Sequence, residues 1–330
     1  MAYLLLVLLV ISVIAAVHYA EVIAHKLGEP FGTLVLAISV TIIEVALIVA
    51  MMLSGSEGAA YIARDAVFAA IMIVMNGVVG LCIFIGGLAH RELQFRIEGP
   101  NSAIAVLAAL STFTLVLPVF AISSPGPTFT QSQLTFAGIS SLALYAAFIF
   151  FQTVSHRDYF LPKGENLKTD ELMHAEPPGK TKTIISAGLL FLALIFVVGL
   201  AKSLSPFIES AVNAIGAPKT IVGIAIASLV LMPESIAAMR AAKVNRLQTS
   251  LNLALGSALA SIGLTIPTVA VISIYFDLPL SLGIDPVSMV LLLLTLFVGL
   301  ITLALGKTTL LQGIVHLIIF ATYLFMSFNP

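Results

Sequence analysis

Two stretches decide the fold of this chain: GEPFGTLVLAISVTIIEVALIVAMML, from Gly28 to Leu53, and GAPKTIVGIAIASLVLMPESIAAMR, from Gly216 to Arg240. Each opens with Gly-x-Pro and continues into an apolar run as long as a membrane helix, with one glutamate inside that run. A charge in the hydrocarbon layer costs roughly 2.5–3.5 kcal/mol on insertion scales, and such residues usually face a cavity, a partner or an ion path. The matching positions of Glu44 and Glu234 therefore predict an ion site within a membrane.

The composition places the chain in the lipid bilayer. Of its 330 residues, 60% are hydrophobic and 9% are charged, whereas soluble domains have roughly 25% charged residues. An apolar run of about 20 residues is long enough to span a bilayer. The predicted spans are residues 3–24, 31–53, 66–89, 102–121, 132–155, 183–205, 219–239, 247–275, 286–305 and 308–327.

The chain is thus predicted to be an all-α polytopic membrane protein with ten transmembrane helices. Its long polar segment, residues 156–182, separates a first five-helix repeat, residues 1–155, from a second, residues 183–330. The one cysteine, Cys82, excludes a disulfide framework and a cysteine metal site. We expect no cofactor and no nucleic acid partner, and the sequence leaves room for a homo-oligomer.

The basic residues predict the orientation, because Lys and Arg are enriched in cytoplasmic loops. Of the 15 Lys and Arg, 12 lie in the loops that follow helices 1, 3, 5, 7 and 9, which leaves Arg64, Lys202 and Lys219 for the opposite side. This bias places both termini outside and the 156–182 linker in the cytoplasm. The expected location is the inner (plasma) membrane of a bacterium or archaeon.

The two halves repeat beyond the glutamates. EVIAHKLGEP, which ends at Pro30, and ESAVNAIGAP, which ends at Pro218, share Glu, Gly and Pro at a shift of 188 residues. Glu44 and Glu234 match at a shift of 190. Because five spans is an odd number, the second repeat inserts upside down relative to the first. Such inverted repeats are common in secondary transporters, whose site lies near the midplane between the halves.

Two carboxylates brought together by this pseudo-symmetry provide negative charge and hard oxygen ligands, which suit Ca²⁺ or another hard cation. The same carboxylates can bind protons, so that cation and proton would compete for one site. Neighbouring polar residues provide candidate ligands. These are Thr41, one turn before Glu44, Asn76 in the third helix, and Asn252 and Ser257 in the eighth, with Ser261 close by.

Other polar groups near these helices have a structural interpretation beside the functional one. Asn76 and Asn252 are equally typical of hydrogen bonds between membrane helices. Glu21 and Glu209 lie near helix ends, where they either face water or serve as entrance acids for the site. His18, His25, His90 and His316 are expected at interfaces, with tuning of the pH response as the alternative.

Three segments carry a resemblance to a known family: VTIIEVALI (Val40–Ile48), LMPESIAA (Leu231–Ala238) and NRLQTSLNLALGSALASIGLTIP (Asn245–Pro267). Over nearly its whole length the chain resembles the calcium/cation antiporter superfamily, and within it the proton-coupled ChaA-type calcium/proton antiporters. The resemblance implies two inverted five-helix units and cation binding by Glu44 and Glu234. It also implies alternating access through movement of the first and sixth helices.

The leading hypothesis is therefore a secondary transporter, and not an enzyme, that exchanges cytoplasmic Ca²⁺ for external protons. One alternative keeps the mechanism and changes the ion to Na⁺ or K⁺. A cation channel and a membrane protein without transport activity are the others. Neither a His-Glu-x-x-His motif nor a GxxxxGK[ST] loop occurs in the sequence, which argues against a zinc protease and an ATP-driven pump.

Overall fold

The computed structural model describes residues 2–27, 31–53, 58–161, 178–214, 218 and 220–329. Ten long helices follow one another within these residues. They are α1 (Ala2–Leu27), α2 (Phe31–Met52), α3 (Ala59–His90), α4 (Glu98–Phe120), α5 (Gln131–Ser155), α6 (Lys180–Ala214), α7 (Thr220–Lys243), α8 (Leu247–Phe276), α9 (Pro286–Leu303) and α10 (Leu310–Phe328). A short 3₁₀ turn, Arg157–Phe160, follows α5.

The helices have the length and apolarity of membrane spans. Within the described part of the chain, nine of them are long and apolar enough to cross a bilayer, and α2 adds the apolar stretch Ala37–Met52. The chain is therefore an all-α polytopic membrane protein, as predicted. Side chains start three of the helices: Thr130 forms a capping box before α5, Thr309 forms another before α10, and Asp285 accepts the backbone N–H of Ser288 before α9.

Inverted repeats are visible in how the helices pack. α2 packs on α8, and its counterpart α7 packs on α3. In the same way α3 packs on α10 while α8 packs on α5, and α1 packs extensively on α6. These contacts thus come in pairs that exchange when the two five-helix units are exchanged.

The loops gather on two opposite sides, in the alternation that ten spans require. On one side a two-stranded antiparallel sheet joins β1 (Glu92–Gln94), after α3, to β2 (Lys307–Thr309), after α9. On the other, the N–H groups of Ser281 and Gly283, after α8, donate to the carbonyls of Ala60 and Pro127. Loops that follow odd-numbered helices therefore lie apart from loops that follow even-numbered ones.

Small residues allow the closest helix contacts, as is usual in membranes. A Cβ placed on Gly313 of α10 would lie 2.7 Å from the backbone N of Phe84 in α3. A Cβ on Gly223 of α7 would lie 2.8 Å from the backbone of Asp65. These glycines let α3 approach both neighbours at backbone distance.

Within the described ranges, three helices contain a π-helical turn, which the apolar pattern did not predict. The turns are Ile73–Val78 in α3, Thr112–Val116 in α4 and Phe151–Ser155 in α5. A π turn adds a residue to the helical repeat and is frequent at functional sites. The turn in α3 contains Asn76, which is fully buried.

Several boundaries differ from the prediction. α3 begins at Ala59 instead of residue 66, so Arg64 and Asp65 belong to the helix and not to a loop. Its early start is possible because Arg64 Nε lies 2.8 Å from Asp65 Oδ1, which neutralises both charges. α6 begins at Lys180, inside the predicted linker, and residues 162–177 of that linker lie outside the described residues. α7 and α8 continue through Pro233 and Pro267 without a break.

Candidate cation-binding site

Glu44 lies on α2 with 1% of its surface exposed. Its two carboxylate oxygens both accept from the hydroxyl of Ser261 on α8, at 2.5 Å each. α2 packs directly on α8, so the carboxylate is held at a helix–helix contact and not in a loop. The acid that the sequence singles out is thus buried and oriented by a hydroxyl from the other half of the chain.

Glu234 lies on α7 and is also buried, with 6% of its surface exposed. Its carboxylate accepts a hydrogen bond from the hydroxyl of Ser257, again on α8. Pro233 precedes it inside the continuous helix and has no backbone N–H to donate. The two predicted acids therefore have the same kind of partner on the same helix.

Ser257 and Ser261 are four residues apart on α8, so they lie on one face about 6 Å apart along the helix axis. This spacing brings both carboxylates to one side of a single helix. Among the described residues, no third acid, histidine or cysteine joins them. Within that same part of the chain, neither carboxylate has a basic group within 4.0 Å.

A pair of buried carboxylates without a basic partner has few stable forms. Two uncompensated negative charges inside a protein are costly, because burial removes their hydration. The cost is relieved when protons or a cation neutralise them. Hydroxyl and carboxylate oxygens are hard ligands, so the arrangement can bind protons or a hard cation such as Ca²⁺.

The other predicted ligands are placed differently. Thr41 is buried one turn before Glu44, and its hydroxyl donates to the carbonyl of Ala37 at 2.8 Å. Asn252 lies outside the acid pair: its Nδ2 donates to the carbonyl of Phe160 at 2.5 Å, and its Oδ1 accepts from Gln248 at 3.1 Å. Asn252 thus links α8 to the 3₁₀ turn after α5 by a hydrogen bond.

Asn76 takes part in a second buried polar network. Its Nδ2 donates to Thr295 Oγ1 at 2.8 Å, and its Oδ1 lies 3.0 Å from Nδ1 of His316. Because an amide oxygen can only accept, His316 Nδ1 carries the proton in this contact. His316 Nε2 lies 3.0 Å from Thr302 Oγ1. The network joins α3, α9 and α10, which is the role of an interhelical polar contact.

The entrance acids are not brought to the pair by any described contact. Glu21 lies on α1 with its side chain exposed. The side chain of Glu209 lies outside the described residues. Both therefore stay predictions as entrance acids.

Sequence reasoning missed Tyr145 on α5. Its side chain is 4% exposed and packs on α8, the helix that carries the hydroxyl partners of both acids. Gly263 makes this possible, since a Cβ there would lie 2.7 Å from the Cβ of Tyr145. The glycine at position 263 is the sequence signal for this contact, since small residues allow close helix approach.

Comparison with known proteins identifies the class as membrane cation exchangers, which are transporters and not enzymes. The chain belongs to the sodium/calcium exchanger protein family, whose model matches residues 1–154 and 185–329. It is 50% identical over 323 residues to the putative ionic transporter y4hA of Sinorhizobium fredii, covering 97% of this chain and 86% of that protein.

Two further relatives fit this assignment. The sodium-potassium/proton antiporter ChaA of Escherichia coli is 32% identical over 317 residues, covering 96% of this chain and 86% of that protein. The solved structure of the Ca²⁺/H⁺ antiporter protein YfkE superimposes with a TM-score of 0.73 at 20% identity, covering 100% of this chain and 92% of that chain. At that identity the structural match shows the fold alone, and the predicted antiporter family is confirmed by the sequence relatives.

Proposed function

We propose that the protein exchanges Ca²⁺ for protons across the membrane, with Glu44 and Glu234 as the shared binding site. The observation that carries the proposal is the burial of two carboxylates, one from each repeat, against one helix and without a basic partner among the described residues. Ca²⁺ binds preferentially to hard oxygen ligands of this kind.

Charge balance gives the exchange its form. Two ionised carboxylates neutralise one Ca²⁺, and two protons neutralise the same pair when the cation has left. Because either ligand removes the two buried charges, both loaded forms are cheaper to move across the membrane than the empty ionised form. Exchange of one Ca²⁺ for two protons would be electroneutral.

The serine hydroxyls can serve both forms of the site. A hydroxyl has one proton to donate and lone pairs to accept. Ser257 and Ser261 donate to the carboxylates in the structure, and rotation about the Cβ–Oγ bond would move the proton away and turn a lone pair towards a bound cation. They thus replace part of the water that the carboxylates or the cation give up on entering the site.

The direction follows from the predicted orientation. With the 156–182 linker in the cytoplasm and both termini outside, Ca²⁺ would be bound from the cytoplasm and released outside the plasma membrane. α1 and α6, which pack on one another, would provide alternating access by moving against the other helices. The packing of α1 on α6 is where such movement would be seen.

Exchange of Na⁺ or K⁺ for protons is the second candidate. The relative from Escherichia coli, which is named as a sodium-potassium/proton antiporter, favours it. The same two carboxylates would then bind one or two monovalent cations. Competition against Ca²⁺ uptake separates the two candidates.

The test is transport by everted membrane vesicles under an imposed proton gradient, with a pH-sensitive dye as readout. Addition of Ca²⁺ should dissipate the gradient for the wild type. Glu44→Gln and Glu234→Gln, which keep the shape and remove the charge, should reduce transport by roughly 100-fold or more, because a buried charge interaction is worth about 3–5 kcal/mol. Glu98→Gln is the matched control, since that acid is exposed at the start of α4 and has no place in the proposed site, and it should retain transport.

Each outcome decides one part of the proposal. Dissipation of the proton gradient by Na⁺ and K⁺ but not by Ca²⁺ would show that the site exchanges monovalent cations. Normal transport by both glutamine variants would remove the acid pair from the mechanism. Flux that does not saturate and does not couple to protons would indicate a channel.

A further inference from the structure

α8 carries a third hydroxyl in line with the two that bind the acids. Thr265 follows Ser261 by four residues, as Ser261 follows Ser257. Each step of four residues turns the helix by only about 40° beyond a full turn, so the three hydroxyls form one row. We call this the hydroxyl row. Its first two members donate to Glu234 and Glu44.

The third member is buried but has no partner. Thr265 has 0% of its surface exposed, and its Oγ1 makes no hydrogen bond to any described residue. A buried hydroxyl without a partner is costly and needs an explanation. The fold therefore buries a hydroxyl oxygen, Thr265 Oγ1, that no described residue uses as a hydrogen-bond partner.

Other threonines in these helices show what a structural hydroxyl does. Thr268, three residues further along α8, donates to the carbonyl of Leu264 at 2.8 Å. Thr41, Thr114 and Thr295 also donate to the carbonyl four residues earlier in their own helices. This local bond is available to any helical threonine. Thr265 does not make it, so its hydroxyl is directed elsewhere.

The row runs from the acids towards the side of the protein on which α8 ends, where the loops that follow even-numbered helices lie. Beyond Thr265, α8 continues to Val269, which is fully buried. Val269 belongs to an apolar cluster built from α1, α2, α3, α6 and α7, with Val13, Ile43 and Val230 among its members. Thr265 thus lies about 6 Å beyond Ser261 along the helix axis, on the way from Ser261 to Val269.

We propose that Thr265 is a further cation ligand, which receives the transported cation as it passes between Glu44 and the side of the protein on which α8 ends. The inference rests on the proposed function, since it needs a cation at the acid pair. A neutral hydroxyl suits this step because it offers a hard oxygen without the charge that would retain the ion. The cation would leave the carboxylates for a ligand that holds it less strongly.

The test compares Thr265→Val, which removes the hydroxyl at constant shape, with Thr265→Ser, which keeps it. Thr268→Val is the matched control in the same helix. Transport is measured in everted and in right-side-out vesicles, so that the cation is offered from each side in turn. The cation used is the one among Ca²⁺, Na⁺ and K⁺ that the wild type transports.

For Thr265→Val we expect the half-saturating cation concentration to rise roughly tenfold when the cation is offered from the side on which α8 ends. Loss of one hydrogen bond or ligand to a charged group weakens binding by about this factor. From the opposite side it should change little. Thr265→Ser should restore the wild-type value, and Thr268→Val should leave both sides unchanged. The thermal unfolding temperature of Thr265→Val should equal or exceed that of the wild type, because an unpartnered buried hydroxyl is lost.

A valine variant with wild-type half-saturation from both sides would overturn the inference, as would an equal rise from both sides together with a lower unfolding temperature. Failure of the proposed function looks different. In that case Glu44→Gln and Glu234→Gln would transport normally. If those two variants lose transport while Thr265→Val behaves as the wild type, only the role of Thr265 fails.

Discussion

The contact between α5 and α8 predicts a sharp difference between two glycines of the same helix. A Cβ on Gly263 would lie 2.7 Å from the Cβ of Tyr145 and 2.8 Å from its Cγ, whereas a Cβ on Gly256 would meet nothing within 4 Å. Ordinary carbon contacts are about 3.5–4.0 Å. Gly263→Ala therefore requires the two helices to separate by roughly 1 Å, because neither Cβ can turn away.

The magnitude follows from two opposing effects. Exchange of glycine for alanine within a helix stabilises it by about 0.5–1 kcal/mol, and overpacking costs about 1–3 kcal/mol. The helix term is common to Gly263→Ala and Gly256→Ala, so it cancels in their comparison. We expect Gly263→Ala to be less stable than Gly256→Ala by about 1–3 kcal/mol.

The assay is equilibrium or thermal unfolding of both variants in the same detergent, together with Gly263→Ala in a Tyr145→Ala background. Removal of the aromatic side chain should recover part of the loss, because Cγ of Tyr145 is one of the two closest atoms. Equal stability of the two glycine variants would show that α5 and α8 do not approach as closely as the structure has them.

Two further predictions concern polar groups outside the acid pair. Asn76→Leu should lower the free energy of unfolding by about 1–3 kcal/mol, because it leaves His316 and Thr295 buried without their amide partner. A double-mutant cycle with His316→Phe should be strongly non-additive, and additive losses would contradict the network. Asp285→Ala should cost about 1 kcal/mol through loss of the cap of α9. Partial burial raises the pKa of Asp285, but hydrogen bonds from the first turn of α9 outweigh it and lower the pKa below its ordinary value. The cap therefore stabilises the folded protein at pH values above the pKa that Asp285 has in the unfolded chain. This stabilisation is lost as the pH falls through the lower pKa of the folded protein, so the unfolding free energies of wild type and Asp285→Ala should converge at acidic pH. A gap that persists there would count against the carboxylate.

The helices and the acids were predictable from the sequence because both depend on local features. Apolar runs of membrane length give the ten spans, and Glu44 and Glu234 stand out as charges inside such runs. The start of α3 was not predictable in this way. Arg64 and Asp65 read as loop residues in a hydropathy pattern, and only their mutual contact explains why they are helical.

The partners of polar side chains depend on tertiary contacts, so residue type alone could not assign them. Asn76 and Ser257 are both polar residues in the third helix of a repeat, but the π turn in α3 orients Asn76 towards α9 and α10. Ser257 instead reaches the acid on α7. The position of an extra residue within a helix is not encoded in an apolar pattern, and so the two candidates could not be separated from sequence.

The pseudo-symmetry of the fold is therefore not carried into its polar contacts. The two acids occupy equivalent places in the repeats, but both of their hydroxyl partners belong to α8, while the equivalent helix α3 uses its asparagine for packing. A displacement of α8 along its axis would consequently alter both carboxylates together, whereas a displacement of α3 would leave both hydrogen bonds in place. If the exchange requires both carboxylates to change their hydrogen-bond partners in one step, a movement of α8 would couple the two changes.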